Sequence, residues 1–347
     1  MLLEWLEFEG EVRTLHIALG AVIGLIFGIA AQVSRFCIRR AIVGSGQDRQ
    51  QAGAVWLTAL ATAVFAFAVA QATGFVDLSG HRFWAAELPV AAIVLGGLMF
   101  GAGMILTRGC ISRLTVLSAS GNLRAVFVLI VFAIIAHATL KGVLAPARVA
   151  IGSVTVDAPF GTVFELPGLA WALAILAVVA AGYAVFRATP KTTHVIAAVV
   201  IGLLPVLGWV GTSTLLMDEF DPLPVQSIAF TLPFTDSLFW GIASSALPAT
   251  FGVGLVGGVL LGAFLSAAAR GELKLQSFED GRQTVRYISG AALMGVGGVF
   301  AGGCTVGAGL SGSASLSLAA LLALLSIVVG AIATRQIFVA RGLTRAA

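Results

Sequence analysis

The most constraining feature of this 347-residue chain is a series of apolar segments, each long enough to cross a lipid bilayer. A helix needs about 20 predominantly apolar residues to span the hydrocarbon core. Charged residues make up only 10% of the sequence, whereas they form about a quarter of a soluble domain. The sequence predicts an all-α integral membrane protein, one polytopic domain over residues 1–347, with about nine transmembrane helices. The predicted spans are 15–34, 54–74, 88–107, 125–141, 169–186, 194–212, 249–268, 287–303 and 315–334.

The eighth predicted span is the least regular of the nine. It is short and is broken by Gly290, Gly295, Gly297 and Gly298, so a re-entrant segment is an alternative to a full crossing. The long connection 213–248 also departs from a simple loop, because its stretch 227–240 is too apolar to extend into water. We expect this stretch to lie on the membrane or to dip into the bundle.

The basic residues predict the orientation of the chain, since cytoplasmic loops of membrane proteins are enriched in Lys and Arg. Sixteen of the 20 basic residues fall in connections on one side of the predicted bundle. With nine spans, the N-terminus is then periplasmic and the C-terminus cytoplasmic. The net charge of +4 is explained by these topology signals, so no nucleic-acid partner is predicted. The sixteen residues are Arg35, Arg39, Arg40, Arg49, Arg108, Arg113, Arg124, Arg187, Lys191, Arg270, Lys274, Arg282, Arg286, Arg335, Arg341 and Arg345.

Two segments of the chain match each other without gaps, at a constant offset of 194 residues. The first begins GGLMFGAG at Gly96 and contains Cys110; the second begins GAALMGVG at Gly290 and contains Cys304. Each is an apolar stretch followed by a Gly-Cys turn, a small-residue loop and another apolar helix, which defines two repeat units at 88–141 and 282–337. The charge pattern gives the units opposite directions, as in transporters built from inverted repeats. Low sequence complexity is the alternative explanation, and the shared Gly-Cys register argues against it.

The chain has three cysteines, Cys37, Cys110 and Cys304. Their odd number and wide spacing argue against a disulfide framework. There is no CxxC motif and no histidine near a cysteine in sequence, so no metal site and no cofactor is predicted. Each cysteine by itself is most simply a small buried hydrophobic residue. The glycines beside Cys110 and Cys304 weaken that interpretation, because tight glycine-rich turns expose backbone N–H groups that bind anions.

The chemistry of these thiols depends on their protonation state. A protonated thiol is a weak S–H donor with a polarizable sulfur, which suits a soft, sulfur-containing anion. A thiolate repels such an anion and instead favours nucleophilic sulfur transfer or soft-metal binding. Arg35 and Arg108, two residues before Cys37 and Cys110, are equally well explained as anion-attracting groups and as topology signals.

The sequence resembles the YeeE/YedE family of bacterial membrane proteins, which includes thiosulfate transporters. The resemblance depends on SRFCIRR around Cys37, on TRGCISR around Cys110 and, most specifically, on GGCTVGAGLSGSAS around Cys304. It implies an inner-membrane protein in which these three cysteines contact the anion along a central pathway. The glycine-rich loops would shape the constriction. Some members act with a small cytoplasmic sulfur carrier of the TusA type, which the resemblance therefore implies as a candidate partner.

The leading prediction is a non-enzymatic transporter of thiosulfate or a related small sulfur anion in the lipid bilayer. A membrane sulfurtransferase that forms a cysteine persulfide is the main alternative, and a non-transporting anchor for a sulfur carrier is a third. No G-x-x-x-x-G-K-[ST] motif is present, so the sequence supports no ATPase. The predicted substrate-binding residues are Cys37, Cys110, Cys304, Gly109, Gly303, Thr305, Arg35 and Arg108.

Overall fold

The computed structural model describes residues 12–217 and 223–340. The arginines at 341 and 345, which entered the charge count, lie outside the described residues. Helices dominate the described chain, with one two-stranded antiparallel pair formed by β1 (Glu87–Leu88) and β2 (Val156–Asp157). The α-helices are α1 (Val12–Ser34), α2 (Ile38–Val43), α3 (Gly46–Ala72), α4 (Val90–Leu106), α5 (Ile111–Ala119), α6 (Leu123–Lys141), α7 (Ala145–Gly152), α8 (Pro167–Ala188), α9 (Thr192–Val210), α10 (Thr231–Ile242), α11 (Phe251–Ala269), α12 (Gly281–Phe300) and α13 (Leu318–Ala340).

Within the described residues, eight segments are long and apolar enough to cross a membrane. They correspond to all the predicted spans except the eighth, so the all-α membrane fold is confirmed. The predicted eighth span lies in α12, which has 20 residues but begins with a less apolar turn that contains Arg282 and Arg286. A count of nine crossings stays a prediction.

The third predicted span, 88–107, extends further than expected. Its helix α4 ends at Leu106, and the chain continues through a turn into α5, so the apolar crossing covers Val90–Ala119. Helix α12 is continued in a similar way, by a turn and then a short π-helix at Gly307–Gly312. Both glycine-rich segments are therefore broken helices, and each break contains a cysteine.

Helices α1 and α11 pack in parallel along two glycine faces. A Cβ atom added at Gly24 would overlap the carbonyl oxygen of Leu255, and one added at Gly258 would overlap that of Ala21. Such close backbone approach is the usual reason for small residues at four-residue spacing in membrane helices. These glycines therefore explain why the two helices pack directly against each other.

The two glycine-rich helices α4 and α12 pack against each other in opposite directions. A Cβ added at Gly103 would lie 2.5 Å from the Gly290 carbonyl oxygen, and one at Gly297 would lie 2.6 Å from the Gly96 carbonyl oxygen. At the 194-residue offset of the sequence match, Gly103 corresponds to Gly297 and Gly96 corresponds to Gly290. Each of the two contacts is therefore the equivalent of the other. A pair of segments related by a two-fold axis has this property, because equivalent residues make equivalent contacts.

The apolar stretch in the connection before α11 enters the bundle. Ile228 and Phe230 are fully buried, and α10 follows them and packs against α6 and α11. Of the two positions expected for 227–240, on the membrane or in the bundle, the burial of Ile228 and Phe230 agrees with the second. The stretch covers the π-helix after Cys304, because the Ser311 hydroxyl donates to the Ile228 carbonyl at 2.6 Å.

Candidate functional site

All three cysteines occupy the same type of local structure. Each lies two residues after a left-handed residue that ends the preceding helix, and immediately before a new helix or helical turn. Left-handed backbone closes helices because it lets the following N–H groups bond back to the last carbonyls. The left-handed residues are Arg35 at φ 53°, Arg108 at φ 61° and Gly302 at φ 72°.

The sulfur of each cysteine faces the backbone N–H group three residues further along. The Gly307 N–H donates to the Cys304 sulfur at 3.3 Å. The N–H groups of Arg40 and Arg113 face Cys37 and Cys110 in the same way, without a fully formed cap hydrogen bond. The first turn of a helix presents unsatisfied N–H groups, so each thiol lies at the positive end of a helical segment.

The structure brings Cys37 and Cys110 together. Both side chains are buried, both thiols are free, and the two sulfurs are within interaction distance of each other. The Cys110 sulfur is also 3.2 Å from the Ser112 hydroxyl, and Thr305 lies beside it. The buried Thr305 hydroxyl has no hydrogen-bond partner of good geometry. A buried polar group without a partner costs free energy, so this hydroxyl is available to a ligand.

The second repeat unit reaches the thiol pair through Thr305, which interacts with Cys110. Cys304 is fully buried. Gly303 packs tightly against the following turn, since an added Cβ would be 2.8 Å from the Ala308 nitrogen. Gly303 also lines a small cavity of about 40 Å³ together with Thr231 and Arg82.

A basic cavity of about 560 Å³ opens at the end of the bundle where α1 and α11 finish. Its basic lining residues are Arg35, Arg40, Arg113 and Lys274, and its acidic ones are Asp48 and Glu272. We call it the Arg113 vestibule. Arg40 is neutralised by an ion pair with Asp48 at 2.6 Å, whereas Nη1 of Arg113 is buried without a hydrogen-bond partner. Arg113 lies close enough to both Cys37 and Cys110 to interact with them electrostatically.

Arg82 stands in the walls of three neighbouring cavities at the other end, of about 240, 500 and 40 Å³. We call these the Arg82 vestibule. One nitrogen of Arg82 lies 3.9 Å from the position of a Cβ on Gly302, two residues before Cys304. Its neighbour His81 accepts the Phe83 N–H at Nδ1 at 3.2 Å. Burial, and secondarily the charge of Arg82, lowers the pKa of His81 to about 4.

The remaining predicted residues fall in two places. Gly109 shapes the turn before Cys110, where its carbonyl accepts from the Thr107 hydroxyl at 2.9 Å. Arg35 lines the Arg113 vestibule, whereas Arg108 interacts with the neighbouring basic residues Arg39 and Arg286.

Sequence reasoning missed Arg82 and Arg113 as site residues. Arg113 is three residues after Cys110 and was interpreted only as a topology signal. Arg82 is one of only four basic residues on the opposite side, and that rarity was the available signal. Their positions depend on long-range packing, so no local pattern distinguishes them.

The chain is similar in sequence to known membrane proteins over most of its length. Over 332 residues the chain is 28% identical to a protein named thiosulfate transporter TsuA from Spirochaeta thermophila, covering 90% of this chain and 96% of the relative. It is 23% identical over 346 residues to thiosulfate transporter TsuA from Escherichia coli, covering 90% of this chain and 91% of that relative. The family described as sulphur transport matches residues 33–333, and the chain belongs to this family of membrane proteins.

Proposed function

We propose that the protein carries thiosulfate, or a related small sulfur-containing anion, across the bacterial inner membrane along a path lined by Cys37, Cys110 and Cys304. The observation that carries the proposal is the meeting of Cys37, Cys110 and Thr305 between two vestibules that each contain an arginine. The names of the two relatives support thiosulfate as the substrate.

The arginines and thiols have different tasks in this mechanism. Arg82 and Arg113 attract the anion into the vestibules, because charges in clefts with low-dielectric walls focus the electric field. Protonated thiols then replace part of the hydration shell of the anion as weak S–H donors. Donors of modest strength let the anion bind and leave, which conduction requires. Thr305 and the turn N–H groups would add hydrogen bonds at the narrowest section.

The repeat units would supply the conformational change. We propose that residues 88–141 and 282–337 form an inverted repeat, supported by the exchange of the Gly96–Gly297 and Gly103–Gly290 contacts. Transporters of this construction alternate their access by rocking one unit against the other around a fixed central site. In this proposal the closed section between the two vestibules is that site.

The proposed orientation places the Arg113 vestibule in the cytoplasm and the Arg82 vestibule in the periplasm. It is supported by the excess of basic residues in the connections around the Arg113 vestibule. A periplasmic Arg82 vestibule is then where the anion arrives. A cytoplasmic carrier of the TusA type would receive the anion beside the connection 270–280, which contributes Glu272, Lys274 and Gln276 to the Arg113 vestibule wall.

The test is uptake of labelled thiosulfate by the purified protein in liposomes. We expect the wild type to accumulate label down a gradient, and Cys110→Ser and Cys304→Ser to lose most of that uptake while they fold normally. Sulfate, which lacks the soft terminal sulfur, should compete weakly. Wild-type uptake with unimpaired cysteine variants would refute the thiol path, and absence of uptake by a folded wild type would refute autonomous thiosulfate transport.

The alternative is a membrane sulfurtransferase, favoured by the position of each thiol at the positive end of a helical segment. It requires a cysteine thiolate to attack the sulfane sulfur of thiosulfate, so that a persulfide forms and sulfite leaves with the electron pair of the broken S–S bond. Intact-mass analysis during turnover distinguishes the two functions. A persulfide adduct of about 32 Da that appears only with thiosulfate would favour the enzyme, and uptake without an adduct favours the transporter.

A further inference from the structure

The two buried thiols of Cys37 and Cys110 lie side by side, although they come from different helix breaks. Cys37 is 6% exposed and Cys110 is 2% exposed, and each faces the other across the closed section of the proposed path. The Cys304 sulfur instead accepts from the Gly307 N–H within its own turn. The described chain thus contains one pair of thiols placed to react with each other and one thiol that stands apart.

The Arg113 vestibule determines which charged molecules reach this pair of thiols. Arg113 interacts electrostatically with both thiols, and Arg35 and Lys274 add positive charge to the same walls. Dianions are therefore concentrated beside the pair, whereas cations are repelled. The thiolate in equilibrium with each thiol is the form that attacks sulfur.

We propose that Cys37 and Cys110 form a redox modification site that dianionic polythionates oxidise to a disulfide. Formation of this disulfide closes the path. The closing of the path, though not the disulfide itself, depends on the proposed transport function. A polythionate such as tetrathionate belongs to the same chemical class as the proposed substrate and contains a weak central sulfur–sulfur bond.

The reaction balances in two steps. One thiol loses its proton and its sulfur attacks a central sulfur of tetrathionate, so that a cysteine S–S bond forms and thiosulfate leaves with the electron pair. The second thiolate attacks the cysteine sulfur of this adduct, forming the Cys37–Cys110 bond and releasing a second thiosulfate. Two thiols are oxidised, one tetrathionate is reduced to two thiosulfate ions, and two protons are released. Exchange through such a mixed adduct is the ordinary route of disulfide formation.

The disulfide is detected without any transport measurement. Purified full-length protein in detergent is treated with tetrathionate, denatured and labelled with a polyethylene glycol maleimide. We expect three labelled cysteines before oxidation and one afterwards, with the Cys37 and Cys110 peptides linked in mass spectrometry. Cys304→Ser should form the same link, whereas Cys37→Ser and Cys110→Ser should not. Three labelled cysteines after tetrathionate treatment of the wild type would overturn the proposal.

The charge of the oxidant provides a second measurement. Cystamine, a disulfide that carries two positive charges, is the matched control for tetrathionate. The oxidation rate with each oxidant is divided by the rate of the same oxidant with free cysteine. We expect this normalised rate to be at least about ten-fold higher for tetrathionate than for cystamine in the wild type. Arg113→Gln should reduce that ratio. A ratio that is the same in wild type and Arg113→Gln would refute the role of the vestibule in selecting the oxidant.

The effect on the path is measured in liposomes. We expect oxidised protein to lose thiosulfate uptake and to recover it after reduction with dithiothreitol. Full uptake by protein whose Cys37–Cys110 link has been verified would refute closure. If reduced wild type shows no uptake but the link forms, the transport proposal fails while the modification site stands.

Discussion

Arginine occupies the left-handed position at two of the three cysteine turns, where glycine would be less strained. The left-handed conformation costs a non-glycine residue about 1–2 kcal/mol. Strain of this type persists mainly where the side chain or the geometry serves a function. Arg35 lines the Arg113 vestibule, so its charge is a physical reason for retaining arginine there.

Arg35→Gly separates the strain from the charge. We expect the free energy of unfolding to rise by up to about 1 kcal/mol, because the left-handed penalty disappears and only part of it is offset by the greater freedom of glycine in the unfolded chain. Thiosulfate uptake should fall, since a positive charge leaves the vestibule. Thermal unfolding in detergent and liposome uptake measure the two effects, and Arg35→Lys is the charge-preserving control. Unchanged uptake by Arg35→Gly would remove Arg35 from the proposed mechanism.

His81 predicts a pH dependence of stability. Its native pKa of about 4 lies below the ordinary value of 6.5, so between these values the unfolded chain binds a proton that the native protein does not. The protein should therefore lose stability as the pH falls from about 6.5 towards about 4, with the full contribution present above 6.5. The melting temperature of the wild type should fall relative to that of His81→Gln as the pH drops from about 6.5 towards about 4. Parallel curves for the two proteins would contradict this expectation.

At the scale of elements, the glycine faces of α1 and α11 determine how closely two crossings pack. Gly258 and Gly257 are neighbours on α11. A Cβ at Gly258 would overlap the backbone of α1, whereas a Cβ at Gly257 would have no described atom within 4 Å beyond its own turn of helix. The face of the helix on which a glycine lies, rather than its position in the sequence alone, therefore determines whether it is needed for close packing.

Gly258→Ala and Gly257→Ala form a matched pair of variants. We expect Gly258→Ala to lower the free energy of unfolding by about 1–3 kcal/mol, the usual cost of overpacking. Gly257→Ala should be neutral or stabilising by up to about 1 kcal/mol, because alanine has the higher helix propensity. Thermal unfolding in detergent compares them directly. Equal stabilities would contradict the close parallel packing of α1 and α11.

At the scale of the whole molecule, two exposed positions test the proposed orientation. Val154 and Leu275 are exposed at 61% and 80%, at opposite ends of the bundle, while all three native cysteines are buried. A membrane-impermeant maleimide applied to intact spheroplasts should label Val154→Cys but not Leu275→Cys. Inverted vesicles should give the reverse result. Labelling of Leu275→Cys in spheroplasts would reverse the proposed orientation and the direction of the path.

The sequence determined the properties that depend on composition and local pattern. Apolar length required a helical membrane protein, because unpaired backbone groups are too costly in lipid. The shared Gly-Cys register around Cys110 and Cys304 indicated two related helix–turn–helix units, and the motifs around the three cysteines indicated the family. The sequence also predicted Arg35 and Thr305 as site residues; in the structure Arg35 lines the Arg113 vestibule and Thr305 lies beside Cys110.

Only the tertiary structure decided which residues meet. The pairing of Cys37 with Cys110, and of Thr305 rather than Cys304 with that pair, depends on the packing of helices that are distant in sequence. The sequence predicted the turn at Gly109 and Cys110 but expected a loop after it, whereas the structure has the helix α5 there. Arg82 and Arg113 became candidate site residues for the same reason. An arginine near a membrane segment looks the same in sequence whether it faces water or a buried path, and only packing determines which of the two it faces.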